Sequence, residues 1–417
     1  MGQSSVRWAV LSLLLASVSF NGVAKAATCQ NTGSFERWLE GFKKDALAAG
    51  ISQRTLASAS PGMTFDQGII NKDRGQSIFS QSFLEFSGRM VGGDRIPSGR
   101  RQMQRHAPIF AKIQQQYGVP ASVIVAFWAL ESDFGTNMGR DPVLKSLTTL
   151  AYDCRRGDMF RNELLEALKI VERGDLRPAE MIGSWAGELG QTQFLPSFYN
   201  KYAIDYEGKG RRDLLRNSSD VIASTANFLQ GLGWRKGEPW IEEVRVPASM
   251  DWAQADLGIK HPKTQWAKWG VTRTDGRPLA GEPLPASLLL PMGRNGPAFL
   301  AYSNFDVYRQ WNQSLVYALT AGYLATRLDG AAQVQRGNGP VTPLNFGQIK
   351  DLQALLVRNG FANFEIDGKL GYETRKAVRA AQLKLGMPAD GYPQADLLDR
   401  LHGFSAAAGA SRARVRK

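Results

Sequence analysis

The sequence has few of the residues on which most metal sites and hydrolytic triads depend. Only three histidines occur in 417 residues, at positions 106, 261 and 402. They stand apart from one another and from cysteine, and the sequence has neither an HExxH pattern nor a G-x-S-x-G turn. These absences argue against a zinc enzyme and against a Ser-His-Asp hydrolase. We expect no metal ion and no other cofactor.

Long apolar runs are also missing. The run from Ala9 to Phe20 is too short for a bilayer span, which needs about 20 residues. It follows Arg7 and precedes a small-x-small sequence at 24–26, the pattern of a cleavage site. Residues 1–26 are therefore predicted to be a secretory signal peptide, with a buried N-terminal helix as the alternative. The prediction places the protein in the periplasm and leaves peripheral membrane association open.

Cysteine is scarce, because only Cys29 and Cys154 are present. In an oxidising compartment these two can form one disulfide, and we predict the pair Cys29–Cys154. Closing so long a loop contributes about 4 to 5 kcal/mol in the chain-entropy model. The alternative is a lipid anchor on Cys29, but Thr28 stands where a small residue is usual.

Basic residues exceed acidic ones, with 51 Lys and Arg against 38 Asp and Glu and a net charge of +13. Such an excess often indicates nucleic-acid binding. Export and the lack of a recognised binding motif argue against that partner here. Four of the cations lie in the last 13 residues, so that 404–417 is predicted to be a basic disordered tail. The remaining excess suits an anionic polymer outside the cytoplasm.

The periodicity of apolar residues predicts a mainly α protein. Steps of three and four residues indicate helices within 34–49, 109–117, 123–134, 160–171, 221–232 and 314–328. Alternating and β-branched runs, punctuated by Gly and Pro, predict a small strand-rich insert at 240–300. Residues 329–344 are rich in Gly, Pro and Gln and are predicted to be a linker. The expected domains are thus 27–328, with the insert, and a compact unit at 345–403.

The segment 118–135 carries the most informative candidate residue, Glu131. It stands near the end of a predicted helix and shares a face with Phe127 and Trp128. A carboxyl packed against aromatic rings loses hydration, which raises its pKa towards that of a general acid at neutral pH. The alternative is a structural carboxyl that caps or pairs at the end of a core helix. Asp133 lies about 200° around the helix and is not expected to act beside Glu131.

Four ordered blocks of sequence carry a family resemblance. They are ALESDFG at 129–135 with DCRR at 153–156, GSWAGELGQTQFLPSFY at 183–199, the block 226–234, and the block 302–314. Together they resemble the membrane-bound lytic transglycosylase B family. The resemblance implies a lysozyme-like helical catalytic domain that cleaves the β-1,4 bond between N-acetylmuramic acid and N-acetylglucosamine. It also implies that Glu131 acts alone, first as acid and then as base, and leaves a 1,6-anhydro sugar.

The resemblance also implies contacts with the glycan. Hydroxyl, amide and guanidinium groups suit a substrate with N-acetyl, hydroxyl and carboxylate groups. The implied substrate-binding residues are Ser184, Gln193, Arg155, Arg156, Phe228, Asn304 and Asn312. Structural alternatives are a simple turn for the Gly-rich segment and a solvated cationic turn for the arginine pair.

Residues 205–216 stand where some family members have an EF-hand-like loop. The glycine at its sixth position is present, but Lys209 and Arg216 replace oxygen ligands at the fifth and twelfth positions. We therefore expect no Ca²⁺ here and an ion pair of Lys209 instead.

The last compact unit resembles the type 1 peptidoglycan-binding domain. An apolar helix stripe at 352–356 is followed by Asp367-Gly368 with a second helix, and Asp390-Gly391 opens a similar segment. The resemblance implies a three-helix module that binds peptidoglycan glycan strands. Proteins of cell-wall synthesis or division are possible further partners, and we expect a monomer. Two other functions stay open: a muramidase that hydrolyses with water, and an inactive peptidoglycan-binding scaffold.

Overall fold

The computed structural model describes residues 33–75 and 81–404. The proposed signal peptide, Cys29 and residues 405–417 lie outside them. The described chain forms two compact units, one of residues 33–75 and 97–236, the other of residues 81–96 and 237–404. The predicted catalytic region 27–328 thus contributes to both units.

The described chain is mainly helical, as predicted. The helices are α1 (Phe35–Ala48), α2 (Gln53–Ala59), α3 (Gln67–Arg74), α4 (Phe83–Val91), α5 (Arg95–Arg105), α6 (Ala107–Tyr117), α7 (Ala121–Ser132), α8 (Val143–Tyr152), α9 (Gly157–Arg173), α10 (Pro196–Tyr202), α11 (Ser218–Gly231), α12 (Lys263–Lys268), α13 (Ser303–Trp311), α14 (Leu315–Leu328), α15 (Phe346–Arg358) and α16 (Tyr372–Lys384). Residues 395–404 are also helical. None of the helices in this part of the chain combines the length and the hydropathy needed to cross a membrane.

The strands are short and antiparallel. They are β1 (Asp141–Pro142), β2 (Ile182–Gly183), β3 (Ile241–Arg245), β4 (His261–Pro262), β5 (Thr272–Arg273), β6 (Pro285–Leu289) and β7 (Ala298–Ala301). β1 pairs with β2, and the others form a sheet in the order β4-β6-β7-β3-β5. This sheet confirms the strand-rich insert.

The first unit is built around α7, which is buried on every side. Each of its residues from Ser122 to Ser132 is buried, which is the pattern of a helix in the middle of a core. α9 packs against α8 and α10, and α11 packs against α6 and α7. α7, whose last turn carries Glu131, packs against α6 and α11.

The second unit combines the sheet with the last helices of the chain. One face of the sheet packs into an apolar cluster around Trp266, Leu288 and Leu300. The core of the C-terminal module is a separate cluster that includes Leu352, Val378 and Leu397. This module therefore has its own small apolar centre.

Two similar polar clasps order the C-terminal module. Gln353 donates to Asp367 Oδ1 at 2.9 Å and accepts from the Gly368 N–H at 2.7 Å. Gln382 does the same with Asp390 Oδ1 and the Gly391 N–H, each at 2.8 Å. Both Asp-Gly pairs of the sequence are thus turns, each fastened to a buried glutamine of the preceding helix.

The C-terminal module contacts the strand-rich part directly. Arg375 Nη1 donates to the Pro291 carbonyl at 3.1 Å, and a second nitrogen of the same guanidinium donates to the Leu290 carbonyl. The Arg294 N–H donates to Asp390 at 3.0 Å. Hydrogen bonds therefore hold the module against the sheet, in addition to the covalent connection through residues 329–344.

The segment that joins α14 to α15 is also fastened. The Gln335 N–H donates to Glu243 at 2.8 Å, and the N–H groups of Asn338 and Gly339 donate to the Asn295 carbonyl at 2.8 and 3.0 Å. These hydrogen bonds define the path of the chain between α14 and α15.

Candidate active site

Glu131 lies in the last turn of α7 and is 3% exposed. Its helix neighbours Phe127 and Trp128 are buried as well, and the Trp128 ring makes an edge contact with Phe134 at 5.5 Å between centroids. The candidate acid thus lies on a helix whose neighbouring aromatic side chains are buried with it. Asp133 ends the helix in the left-handed region, with φ of 47°.

Backbone strain concentrates next to this helix end. In the described residues, positive φ angles outside glycine occur at Asp133, Phe134 and Gln193. Such conformations cost about 1 to 3 kcal/mol each and persist where the surroundings enforce them. Two of the three come two and three residues after Glu131, and the third lies in the segment 183–199.

Gln191 joins this helix end to the segment 183–199. Trp128 Nε1 donates to Gln191 Oε1 at 2.8 Å, and the Ser132 hydroxyl donates to the Gln191 carbonyl at 2.5 Å. The Gln191 amide nitrogen donates to the Leu215 carbonyl at 2.9 Å. The bonds from Trp128 and Ser132 bracket Glu131, so Gln191 fixes the place of the candidate acid.

Gln191 lies in the sequence block at 183–199, but the sequence does not indicate a role for it. Its role depends on tertiary contacts with two separate segments, α7 and residues 214–215. No local pattern reveals these, although a glutamine inside an apolar, Gly-rich segment is a signal of a buried hydrogen-bonding group.

A second buried carboxyl lies near Glu131. Glu188 is 4% exposed, interacts electrostatically with Glu131, and accepts a hydrogen bond from Ser184 Oγ at 2.9 Å. Burial raises the pKa of Glu188 well above its usual range, and the charge of Glu131 raises it further. The Ser184 hydroxyl and Arg156 act in the opposite direction. Glu131 therefore has a carboxyl neighbour that the sequence did not indicate.

The arginine pair is anchored by a buried aspartate. Arg155 Nη1 donates to Asp73 Oδ2 at 2.9 Å, and Arg156 donates to the other oxygen of the same carboxyl, which is 3% exposed. Arg156 also interacts electrostatically with Glu188, and its buried Nε finds no acceptor among the described residues. Arg156 thus belongs to the surroundings of Glu188. The half-exposed Arg155 side chain keeps one side towards solvent.

Gln193 is buried beside the same helix end. Its amide nitrogen donates to the Gly190 carbonyl at 2.8 Å and to the Met138 carbonyl at 3.3 Å. These bonds hold the segment after α7 against the segment 183–199. Glu131, Ser184, Gln193 and Arg156 therefore all belong to the first unit.

Phe228 lies in an aromatic cluster of the first unit. The ring is completely buried on α11 and packs against Phe194, Phe198 and Tyr202, with centroid distances of 4.7 to 5.1 Å. Its expected contact with substrate stays a prediction.

Asn304 and Asn312 belong to the second unit and have structural partners there. Asn304 is completely buried and donates to the Glu238 carbonyl at 2.7 Å. Asn312 follows the end of α13 and accepts from the Ser314 N–H at 2.9 Å, just before α14. Both amides thus bond to backbone groups at helix ends and loops, and their expected contact with substrate stays a prediction.

The loop at 205–216 is closed by its own groups. Asp205 accepts from the N–H groups of Lys209 and Gly210 at 2.9 and 2.7 Å, and Arg216 Nε donates to Asp213 at 3.1 Å. Lys209 also pairs with Glu207, which is the expected ion pair. Within residues 33–75 and 81–404, no three His, Cys, Asp or Glu side chains are grouped as metal ligands.

Of the two cysteines of the predicted disulfide, one lies within the described residues. Cys154 lies after α8, next to the arginine pair, whereas Cys29 falls outside the described residues. The pairing stays a prediction.

Comparison with known proteins identifies the chain. The transglycosylase SLT domain family matches residues 34–326, and the peptidoglycan binding domain family matches residues 347–401. The chain belongs to the SLT transglycosylase family. It is thus an enzyme of the lytic transglycosylase class with a C-terminal peptidoglycan-binding domain.

Individual relatives agree with this assignment. Membrane-bound lytic murein transglycosylase B of Escherichia coli K12 is 27% identical over 287 residues, which are 68% of this chain and 78% of that protein. SltB3 of Pseudomonas aeruginosa is 41% identical with a TM-score of 0.83, and the match covers 89% of this chain and all of that chain. Slt35 of E. coli, crystallised with calcium, is 25% identical with a TM-score of 0.60, and the match covers 73% and 94% of the two chains. The lysozyme-like helical fold expected from the sequence is confirmed.

Proposed function

We propose that this transglycosylase cleaves the β-1,4 bond between N-acetylmuramic acid and N-acetylglucosamine and leaves a 1,6-anhydro-N-acetylmuramic acid end. Glu131 is the acid and the base of this reaction. The observation that carries the proposal is the position of Glu131, a carboxyl that is 3% exposed at the strained end of a buried helix. Withdrawal from water favours a proton on the carboxyl, which the first step requires.

In the first step, Glu131 donates its proton to the glycosidic oxygen. The bond between C1 of the muramic acid and that oxygen breaks, and the N-acetylglucosamine leaves with the proton as a hydroxyl group. Positive charge then develops at C1 and its ring oxygen, while Glu131 is left as a carboxylate.

In the second step, the 6-hydroxyl oxygen of the same muramic acid forms a bond to C1. Its proton passes to the Glu131 carboxylate, which is thereby ready for the next cycle. No water is consumed, so the two products together have the composition of the substrate. One carboxyl serves both steps because the nucleophile belongs to the sugar.

The surroundings of Glu188 favour this reaction over hydrolysis. A hydrolase with two carboxyls needs the second one ionised, either as nucleophile or as the base for water. Burial and the neighbouring Glu131 raise the pKa of Glu188 well above its usual range, which disfavours the ionised form that either role needs. The Ser184 hydroxyl also occupies one oxygen of this carboxyl.

The relatives support the same substrate and product. SltB3 of P. aeruginosa was crystallised with NAG-anhNAM-pentapeptide and with NAG-NAM-pentapeptide. The first of these ligands carries the anhydro sugar that the proposed reaction leaves, and the second carries the muramic acid form. The sequence-predicted contacts remain our proposals for substrate binding: Ser184, Gln193, Arg155, Arg156, Phe228, Asn304 and Asn312.

The C-terminal module adds a second contact with the polymer. We propose that it binds peptidoglycan and raises the local concentration of substrate for the catalytic site. Export by the segment 1–26 to the periplasm, the boundaries 27–328, 329–344 and 345–403, and a monomeric state are part of the same proposal. Nucleic acid has no role in it.

The variant Glu131→Gln tests the assignment of the acid. We expect it to lose turnover of purified sacculi while it still co-sediments with them, because the amide keeps the shape but carries no transferable proton. Unchanged clearance of sacculi by this variant would refute the role of Glu131.

A further inference from the structure

Glu188 is a buried carboxyl that the proposed reaction does not use. It is 4% exposed, it lies in the turn after β2, and it interacts electrostatically with Glu131. Burial of a carboxyl is costly unless its hydrogen-bonding capacity is satisfied. We therefore expect a buried carboxyl in this position to have a function in the site.

The hydrogen bond to Glu188 orients the Ser184 hydroxyl. The oxygen accepts from the N–H groups of Ala186 and Glu188, both at 3.2 Å. The single hydroxyl proton is donated to Glu188 Oε2 at 2.9 Å. With both sides of the oxygen engaged, the orientation of this hydroxyl depends on the Glu188 side chain.

The backbone of the same turn closes around this pair. The Ser184 N–H donates to the Glu188 carbonyl at 3.0 Å, and the Gly187 N–H donates to the Ser184 carbonyl at 3.1 Å. A Cβ atom on Gly183 would lie 1.9 Å from the Glu188 carbonyl oxygen, so the backbone approach requires glycine. Glu188 is thus fixed at both its backbone and its side chain, and the turn has little freedom to rearrange.

We propose that Glu188 is a positioning residue for the reaction of Glu131. Through the Ser184 hydroxyl and the turn 183–188, it fixes the pocket wall against which Glu131 and the sugar meet. This inference rests on the proposed role of Glu131.

The charge state of Glu188 follows from the groups that face it. Burial and Glu131 favour its neutral form, whereas Ser184 and Arg156 favour the anion, and the raised pKa of Glu188 shows that the first two prevail. Arg156 is itself paired with Asp73, which weakens its pull on Glu188. The protonated form of Glu188, which burial favours, has an O–H donor, so glutamine is the replacement closest to that form in shape, charge and hydrogen bonding.

The test compares Glu188→Ala, Glu188→Gln and a matched control. Glu163 provides the control, because it is 7% exposed, also accepts a serine hydroxyl, that of Ser197 at 2.7 Å, and lies on α9. Glu163→Ala removes a comparable buried carboxyl outside the proposed site. The substrate is a soluble glycan chain of alternating N-acetylglucosamine and N-acetylmuramic acid, and kcat and KM are measured across the pH range together with the melting temperature.

We expect Glu188→Ala to lower kcat about 10- to 100-fold with KM little changed, the size of effect that misplacement of a reacting group produces. Glu188→Gln keeps most of kcat and the pH profile of the wild type. Glu163→Ala lowers the melting temperature without lowering kcat. Wild-type kcat in Glu188→Ala overturns the inference, and so does a Glu188→Gln variant as inactive as Glu188→Ala, since that requires an ionised Glu188.

A double variant tests the link through Ser184. If Glu188 acts by orienting this hydroxyl, Ser184→Ala lowers kcat by a similar factor, and the double variant with Glu188→Ala loses no more than either single variant. If the double variant instead loses the product of the two single losses in kcat, the residues act independently and the inference is contradicted. Should Glu188→Ala fail to fold, the kcat values of Ser184→Ala and Glu188→Gln test the inference by the same criteria. Failure of the proposed function is recognised separately, because Glu131→Gln would then stay active.

Discussion

The indole of Trp128 and the amide of Gln191 are joined by a buried hydrogen bond of 2.8 Å between Nε1 and Oε1. The two residues are 63 positions apart in sequence, one on the helix of Glu131 and the other in the Gly-rich segment. Together with the bond from Ser132 to the Gln191 carbonyl, this contact fastens the end of α7 on both sides of Glu131. The place of the proposed acid therefore depends on a residue outside its own helix.

Gln191→Ala should lower both stability and kcat. The change leaves the Trp128 N–H and the Leu215 carbonyl without this partner in the core, at a cost of about 1 to 3 kcal/mol in the free energy of unfolding. Urea unfolding and turnover of soluble glycan chains measure the two effects. The exposed Gln230 on α11 serves as control, and Gln230→Ala should change neither. A stable and fully active Gln191→Ala variant would show that the clasp is dispensable.

Gly183→Ala should destabilise the turn that contains Ser184 and Glu188. The added Cβ would lie 1.9 Å from the Glu188 carbonyl oxygen and 3.0 Å from Val143, so the backbone must move, at a cost of about 1 to 3 kcal/mol. Gly41→Ala is the contrasting change, because Gly41 lies within α1 and has open space around its Cα. That variant should gain about 0.5 to 1 kcal/mol. Thermal unfolding of both variants checks the prediction, and equal effects would contradict it.

Glu180 should make part of the stability sensitive to acid. Hydrogen bonds from the Arg177 side chain and N–H, followed by one from Arg216, lower the pKa of Glu180 to about 2. Since this lies below the usual value, the contribution is present above the pKa of the unfolded chain and is lost as the pH falls towards 2.

The melting temperature of Glu180→Gln, measured against pH, tests this. The variant should melt below the wild type near neutral pH, and the two curves should converge in acid. The exposed Glu282→Gln should follow the wild type throughout. A constant gap between Glu180→Gln and the wild type would contradict the electrostatic origin.

Arg375→Ala should release the C-terminal module from the sheet. The guanidinium donates to the carbonyls of Leu290 and Pro291, and hydrogen bonds from a charged group contribute about 1.5 to 3 kcal/mol. We expect faster hydrogen exchange and faster proteolysis within 329–344 in this variant. The neighbouring Lys376 is exposed, so Lys376→Ala should behave as the wild type. Unchanged protection in Arg375→Ala would mean that other contacts hold the module.

Much of the fold could be predicted from the sequence because it is encoded locally. The apolar run after Pro120 predicted α7 within two residues of its end, and the Asp-Gly pairs at 367 and 390 predicted turns. The position of Glu131 on that run already indicated its burial. Periodicity and turn residues act over a few positions, so a single sequence reveals them.

The rest of the site depends on contacts between distant segments. Glu188 could not be recognised as a neighbour of Glu131, because 57 residues separate them and the turn at 183–188 brings the carboxyl inward. Phe228, Asn304 and Asn312 lie in family motifs, and the sequence could not reveal their core packing or their bonds to backbone groups, because the partners are distant in sequence or depend on the path of the backbone.

The mass of the products released from purified sacculi tests the central claim most directly. If Glu131 acts with the 6-hydroxyl of the muramic acid as nucleophile, each new muramic acid end is a 1,6-anhydro sugar, one water lighter than the hydrolysed form, and Glu131→Gln releases neither. Reducing muramic acid ends without any anhydro species would contradict the account and identify the enzyme as a hydrolase.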